Sequence, residues 1–450
     1  MPGYMRCMRA AVYCWPPYGG FHNNCFVPDG AIVLVLRAVR VYTSVVLRDP
    51  CLAVRICGSF VLDVVMESIR TLPWVQNSSV RGCRVLLRVD FNVPVEHGQV
   101  RDRTRIERVA PTVDYLVKAG AKVIMVSHFG RPSCVDADFS LEPLVGTISE
   151  VLGVPVTFVG DCFGERVCTV VNALPWGSVV LLENLRFHAG EEKNDPAFAK
   201  QLASMADLYV NDAFSCSHRM HASIDAITKF LPAAAGLNLQ DELHYLGNIV
   251  SEHPVAAVIG GAKTSSKIPM LRNLAQKVDF LVLGGGLSNS FLRASGHKIG
   301  SSVYEPCDDA VHAVLESARK SNCGVIVPRD HVVARNLDCS AQTKQNKDVG
   351  EEDCIFDIGT QTSAEVAEVL GKCKTVFWNG PMGVFERAAF ATGTSDLIRN
   401  LVCLKKEKGV STIVGGGDSI FAIKASGYSA EDFSYISTGG GALLQFLSVA

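Results

Sequence analysis

From residue 84 onward, short apolar runs alternate with segments of helical period, and that alternation admits few folds. Residues 84–89, 122–127, 156–159, 179–182 and 208–210 read as strands. Between the first two, Ile106, Val109, Ala110, Val113, Leu116 and Val117 fall on one helix face, which Ala119-Gly120 closes. Strand–helix–strand alternation predicts a parallel sheet covered by helices on both faces. The pattern pauses over 230–236, and a helix is expected over about 236–248. Strands then resume at 256–259, 280–283, 325–327, 375–378, 412–414 and 435–437, with helices between them. The expectation is an α/β protein with two doubly wound parallel-sheet (Rossmann-like) domains joined by a hinge helix. One domain covers 66–235, the helix 236–248 and the other domain 249–437, with a last segment 438–450 near the hinge.

Composition narrows the function. A chain of 450 residues, 48% hydrophobic and 20% charged, has enough apolar matter for two cores. A net charge of -2 argues against general nucleic-acid binding, so any anion site must be a local cluster. The 16 cysteines are scattered without a C-x-x-C pair, which fits reduced thiols of a cytoplasmic protein rather than a disulfide scaffold or a zinc site. The longest apolar run, 31–47, is broken by Arg37 and Arg40, so no membrane span is expected. Residues 1–65 hold six arginines, five cysteines, no lysine and no glutamate. They read as an upstream extension outside the fold, with Met66 as an alternative start. A targeting peptide is the other reading, against which Trp15-Pro-Pro counts. Nothing suggests a coiled coil or an obvious oligomer surface.

The second half carries three glycine-rich loops, Gly260-Gly-Ala-Lys263, Gly284-Gly-Gly286 and Gly415-Gly-Gly-Asp418, each after a strand and before a helix. Glycine lets backbone approach a phosphate, and a helix N-terminus supplies N–H donors. Tight strand-to-helix packing also needs glycine, but three such loops plus Ser437-Thr-Gly-Gly-Gly441 favour a nucleotide. The dinucleotide fingerprint is broken at Asn289, and no G-x-x-x-x-G-K-[ST] occurs. Lys263 and Lys267, four apart at a helix start, suggest phosphate oxygens, since lysine there otherwise opposes the helix dipole. Asp418 can hold magnesium or cap a helix, Ser419 can offer a hydroxyl, and Glu386 can meet ribose hydroxyls.

The first half carries Arg105, Arg131, Arg186 and Arg219, each near a strand end or helix start, with His128 and His218 among them. Clustered guanidinium groups repel unless an anion offsets them, and arginine suits phosphate and carboxylate. His188 and His221 read as structural. One half is thus expected to hold a small anion and the other a nucleotide.

In this order and approximate spacing, Arg88-Val-Asp-Phe-Asn-Val-Pro94, Ser127-His-Phe-Gly-Arg-Pro132, Leu182-Glu-Asn-Leu-Arg-Phe-His188, Val210-Asn-Asp-Ala-Phe214 with His218-Arg219, Gly260-Gly-Ala-Lys263, Trp378-Asn-Gly-Pro-Met-Gly-Val-Phe-Glu386, Gly415-Gly-Gly-Asp418 and Ser437-Thr-Gly-Gly-Gly-Ala442 resemble the phosphoglycerate kinase family over about residues 67–450. The resemblance implies reversible phosphoryl transfer between ATP and the carboxylate of 3-phosphoglycerate, with 1,3-bisphosphoglycerate and ADP as the other pair. By the family pattern Asp90, Phe91, Asn92, Arg105, His128, Phe129, Gly130, Arg131, Arg186 and Arg219 bind the glycerate substrate. Gly261, Lys263, Lys267, Asn379, Glu386, Gly416, Gly417, Asp418 and Ser419 bind nucleotide, with Mg2+ on Asp418. Arg105, Lys263 and Lys267 act in transfer, and a hinge closure joins the two sites.

Several segments depart from the family pattern. Ser215-Cys-Ser217 replaces Gly-Thr-Ala, and Asp357-Ile-Gly-Thr-Gln-Thr362 lacks a usual lysine. Leu287-Ser-Asn-Ser290 and Arg329 differ, and Ser419 stands for threonine. The end, Leu443 to Ala450, is shorter than the family's tail, which returns to the first domain; if that tail steadies the closed state, a less stable or slower protein is expected. The readings set against catalysis are a non-catalytic nucleotide-binding member of the fold and, from another class, a nicotinamide dehydrogenase.

Overall fold

The computed structural model describes residues 69–96 and 98–449, and the backbone of three strands before them. The chain divides into two compact units, Met1–Leu72 and Pro73–Ala450. In the first, Val12–Cys14, Ile32–Ala38 and Val41–Leu47 pair antiparallel. The expected alternative start at Met66 lies outside the described residues, as does most of the extension 1–65.

Pro73–Ala450 contains two six-stranded parallel sheets. In the first, the spatial order is Ala233–Ala235, Leu208–Asn211, Arg84–Arg88, Lys122–Val126, Val179–Leu182, Val156–Val159. Alternate residues feed opposite faces, as strand geometry requires. Val85 and Leu87 join Val123 and Met125 against Ile106, Val109, Val113 and Leu116 of the helix Thr104–Lys118. Leu86, Ile124 and Tyr209 face the other way, onto Val167 of Glu165–Ala173 and Phe198 and Leu202 of Pro196–Ala203. Leu86 and Leu87 are both wholly buried, each worth about 1.5–3 kcal/mol. On the expected helix face, Thr112 is buried while Ala110 and Val117 are partly covered.

The second sheet runs Gly324–Ile326, Phe280–Leu283, Val255–Ile259, Thr375–Asn379, Ser411–Gly415, Tyr435–Ser437. Strand order therefore reverses between Val255–Ile259 and Thr375–Asn379, the crevice where such sheets take ligands. Trp378, the bulkiest fully buried side chain, packs with Val258, Val414, Leu401 and Ile398 beneath the helix Thr392–Lys408.

Two elements differ from expectation. Ala233–Ala235, read as part of a pause, is an edge strand; three alanines after a proline carry little strand preference, and pairing with Leu208–Asn211 overrides it. Asp330–Ala334, Gln342–Gln345 and Cys354–Ile358 make a small antiparallel sheet not foreseen, because Gln342–Gln345 has no apolar residue and Asp330 and Asp357 sit in the other two. The short end forms a helix, Gly441–Val449, that touches both domains: Phe446 meets Phe214 of the first edge to face at 6.0 Å, and Asn273 Nδ2 of the second donates to Leu447 O at 2.6 Å.

The connecting helix is Leu237–Gly247. Its start is tied to the first domain, where Leu237 N donates to Thr112 Oγ1 at 3.0 Å and Leu239 N to Asp212 Oδ1 at 3.0 Å. Its far side meets the last strand of the second sheet. Tyr245 stacks on Tyr435 at 4.3 Å, and Glu242 Oε1 accepts from Thr438 N at 3.1 Å. Burial raises the Glu242 carboxyl to about 7 against the hydrogen bonds it receives, and Asp212 is likewise raised to about 7 by burial.

Candidate active site

The carboxyl ends of the first sheet gather the basic motifs. Arg84–Arg88 delivers Asp90 and Asn92 into the loop that follows it. Asp90 is buried, and Arg105 Nη1 reaches its Oδ2 at 2.9 Å. Asn92 N donates to Asp90 Oδ1 at 3.0 Å, and Ser215 Oγ donates to Oδ2. Burial alone would raise the Asp90 carboxyl, but Arg105, His128 and these hydrogen bonds together hold it below its ordinary value. Arg105 Nη1 also donates to Asn92 O at 2.7 Å. Asn92 Oδ1 in turn accepts from Gly130 N at 2.9 Å, locking two loops together. Phe91 N donates to Ser127 Oγ at 2.9 Å.

His128 follows the next strand and is buried; burial first, then Arg88, keeps its pKa well below the usual histidine value. The loop Phe129-Gly130 is pinned by Asn184, whose Oδ1 accepts from Phe129 N at 3.1 Å while Nδ2 donates to Phe129 O at 2.7 Å and Phe139 O at 2.9 Å. Asn184 Oδ1 also accepts from Arg186 N at 3.1 Å. Arg186 is nearly buried: Nη1 donates to Gly130 O, and Nε lies 3.1 Å from Glu192 Oε1 but off the hydrogen-bond direction. Arg219 is half-buried and Arg131 exposed. Asp90, Asn92, Arg105, Gly130 and Arg186 are thus joined in one network, with His128 Nδ1 4.0 Å from Asp90 Oδ1. Among the described residues Arg131 and Arg219 make no side-chain hydrogen bond or ion pair to it, although the Arg219 charge acts on His128 and Arg186. His221 Nδ1 lies 3.7 Å from Glu191 Oε1 and is lowered to about 4 by burial and neighbouring arginines.

On the second sheet the loops fit backbone to backbone. An added Cβ at Gly260 would lie 2.1 Å from Pro381 O and 2.7 Å from Gly380 O, so no side chain is tolerated where the two strands flank the switch in order. Gly261 N donates to Pro381 O at 2.9 Å. Lys267 turns inward: its Nζ donates to Gly260 O at 2.5 Å, and burial lowers its pKa to about 8 against the pull of Asp418. The expected pairing of Lys263 and Lys267 on one helix face is corrected. The helix Ile268–Leu274 starts later, Lys267 is its N-cap, and Lys263 is exposed in the turn before it. Pro269 at the second helical position explains the later start.

Gly416, at φ +95°, caps the helix Gly417–Ala425, a backbone angle L side chains avoid. Asp418 is therefore not the cap; it stands exposed in the first turn with Gly417. Ser419 Oγ accepts from Gly380 N at 2.7 Å, and Asn379 Nδ2 donates to Gly415 O at 2.9 Å. Both side chains are buried and brace the loops. Glu386 is exposed.

The two sets of loops share a space. A cavity of about 260 Å³ is lined by Asn92, Pro94 and Arg105 on one side and by Gly417, Phe421 and Lys424 on the other. Lys424 Nζ lies 2.9 Å from Asp102 Oδ2 at its rim. A larger cleft of about 670 Å³ on the small antiparallel sheet shares no residue with either set.

Sequence reading missed Arg88, Asn184 and Ser215 as members of this site. The signal for Arg88 was present: a charge closing an otherwise apolar strand must be paired when buried.

Comparison with known proteins places the chain among relatives of one family. The family profile described as phosphoglycerate kinase matches residues 75–449. A phosphoglycerate kinase of Wolbachia sp. subsp. Drosophila simulans (strain wRi) is 49% identical over 381 residues, 84% of this chain and 96% of that protein. One of Methylorubrum extorquens (strain PA1) is 45% identical over 388 residues, 85% and 96% of the two chains. Among solved structures, phosphoglycerate kinase from Coxiella burnetii superposes with a TM-score of 0.76 at 36% identity, covering 84% of this chain and 96% of that one. The enzyme from Pyrococcus horikoshii OT3 does so with 0.72 at 29%, over the same shares.

Proposed function

The chain belongs to the phosphoglycerate kinase family, and we propose that residues 66–235 present the glycerate substrate to a nucleotide held by residues 249–437. The family's reaction is reversible phosphoryl transfer between ATP and the carboxylate of 3-phosphoglycerate, a step of glycolysis. The non-catalytic alternative is not favoured, since its relatives over 96% of their length are named as the enzyme.

The acceptor is an ionised carboxylate, so no general base is required; positioning and donors around the transferred oxygens carry the rate. In our reading Asp90, Asn92, His128, Arg131, Arg186 and Arg219, with Phe91, Phe129 and Gly130 in the same loops, form the glycerate site. Arg105, which reaches both Asp90 and the shared cavity, stabilises the transferring group. Gly261, Lys263, Asn379, Glu386, Gly416, Gly417 and Ser419 form the nucleotide site, and Lys267 adds a cation near the phosphates. Asp418 suits Mg2+: an exposed oxygen donor beside a glycine loop, matching an ion that takes one or two carboxylates and completes its shell with phosphates. When bound, the ion supplies charge neutralisation at phosphate oxygens.

The single observation that carries this reading is the cavity lined by both Arg105 and Gly417. A coupled assay of ATP consumption tests it: turnover is expected only with 3-phosphoglycerate present, and none in its presence would end the proposal. Closure about the helix Leu237–Gly247 excludes water, with 438–450 beside it; scattering that shows no compaction with both substrates bound would count against it.

We also propose that the protein is cytoplasmic, from the scattered thiols, that it binds no nucleic acid, from the net charge of -2, and that it is a monomer, from the family resemblance. Among the described residues no helix is long and apolar enough to cross a membrane. A dimer mass in light scattering would overturn the monomer.

A further inference from the structure

We infer that Arg88 is a positioning residue that acts through His128, fixing the imidazole as the neutral tautomer whose single proton sits on Nε2. The inference rests on the reading of His128 as a ligand of the glycerate substrate.

Arg88 Nη2 lies 3.1 Å from His128 Nδ1. A guanidinium has only donors, so Nδ1 must accept, and the remaining N–H of a neutral ring is on Nε2. Two other groups come near the ring: Cys216 Sγ, within 4.8 Å of a ring nitrogen but paired with Ser215 Oγ at 3.8 Å, and Asp90, which distance and occupancy exclude. Asp90 Oδ1 is 4.0 Å away, and the Asp90 oxygens already accept from Arg105, Ser215 and Asn92. The charges facing His128 come from four elements: Arg88 at the end of its strand, Asp90 in the loop after it, Arg186 in the turn Leu185–Phe187, and Arg219 in the loop beyond Phe214–Cys216. Three cations against one carboxylate, with burial, disfavour an imidazolium.

Arg88 does not serve as a ligand itself. It is fully buried, its Nε donates to Ser223 Oγ at 2.9 Å and its Nη1 to Val89 O. Ser223 Oγ donates to Glu191 Oε1 at 2.6 Å, and Ser223 N to Glu191 Oε2 at 2.9 Å. Glu191 is wholly buried and balances the guanidinium charge. A buried relay thus runs from Glu191 through Ser223 and Arg88 to His128. Its consequence is a donor to the substrate that does not titrate near neutrality, where an ordinary histidine changes charge at about 6.5.

Nitrogen-15 NMR of histidine-labelled protein tests this, with His128 assigned from the spectrum of His128→Gln. The wild-type ring is expected to show Nδ1 unprotonated and Nε2 protonated, without titration between about pH 5.5 and 8. Arg88→Met is expected to release the tautomer and to raise KM for 3-phosphoglycerate about tenfold, the loss of one charge-assisted hydrogen bond, with KM for ATP unchanged. Because Met leaves Glu191 unpaired, Arg88→Lys is the second variant, and a cycle with His128→Gln measures coupling. If Arg88 acts through His128, the double variant loses no more than the larger single one. A protonated Nδ1 in the wild type, or full additivity in the cycle, overturns the role of Arg88. An unchanged KM for 3-phosphoglycerate in His128→Gln sinks the substrate-site reading instead, and the inference with it.

Discussion

The two halves of the candidate site are built by different means for the anions we propose they bind. The first is built largely from side chains: Asp90, Asn92, Arg105 and Arg186 are linked through hydrogen bonds and ion pairs by way of the Gly130 backbone, and Arg88 holds His128 beside them. The second is built from backbone: Gly260, Gly380 and Pro381 meet at distances that leave no room for a Cβ. A side-chain site fixes the shape of a small ligand through a few charged groups, each of which can be deleted alone. A backbone site gives a generic phosphate cradle whose geometry fails as a whole when one glycine changes. The contrast also sets where charge lies. The first half gathers several guanidinium groups and offsets them with Asp90, Glu191 and Glu192.

That comparison can be broken in four places. Arg105→Ala, on the side-chain half, is expected to cut turnover by about 10²-fold or more and leave nucleotide affinity near normal. Steady-state rates and equilibrium ATP titration check it, and turnover within about twofold of the parent removes Arg105 from the chemistry. Gly260→Ala, on the backbone half, is expected to cost about 1–3 kcal/mol of stability and weaken ATP binding without changing affinity for 3-phosphoglycerate. Denaturant melts and separate titrations of the two substrates tell whether the halves are independent.

Lys267 gives a smaller, pH-dependent effect. Its pKa of about 8 in the free protein must rise when phosphate binds, so ATP binding takes up a proton above that value. Affinity is expected to be about tenfold weaker at pH 9 than at pH 7, and Lys267→Met to flatten that slope. Calorimetry at the two pH values decides it.

The smallest effect lies between the halves, at Glu242. Its folded pKa of about 7 is above the ordinary glutamate value, so the native state binds the extra proton. Stability from this group is full below about pH 4 and is lost as pH rises through about 7. Glu242→Gln is expected to raise the melting temperature by about 2 °C at pH 8 and leave it unchanged at pH 4. A melt that shifts equally at both pH values would mean the carboxyl is ionised in the native protein.

Most strands of both sheets were legible because each is a short apolar run, several closed by a motif, as at Val179–Leu182 before Asn184 and Thr375–Asn379 before Gly380. The position of Asp90 at a strand end was legible for the same reason, and that of Arg105 at a helix start from the helical period that follows it. Ala233–Ala235 was not, because its stability comes from pairing rather than from its own residues. Lys263 and Lys267 were placed on a helix that starts after them; spacing alone cannot distinguish a turn from the first helical turn. Arg88 was visible only as the first letter of a motif. Its role needs Lys122–Val126 alongside Arg84–Arg88, which brings His128 to its guanidinium from 40 residues away.

Asp102 sits at the seam with both of its oxygens committed. Oδ1 accepts from Thr104 N at 2.9 Å and from Thr104 Oγ1 at 2.6 Å, holding the start of the helix on which Arg105 stands, while Oδ2 holds Lys424 of the opposing helix Gly417–Ala425. The group that holds the first turn under Arg105 is thus also a tether to the opposing helix. In the proposed closure, parting the halves would pull on the first turn of Arg105's helix, and high salt would weaken the tether between Asp102 and Lys424.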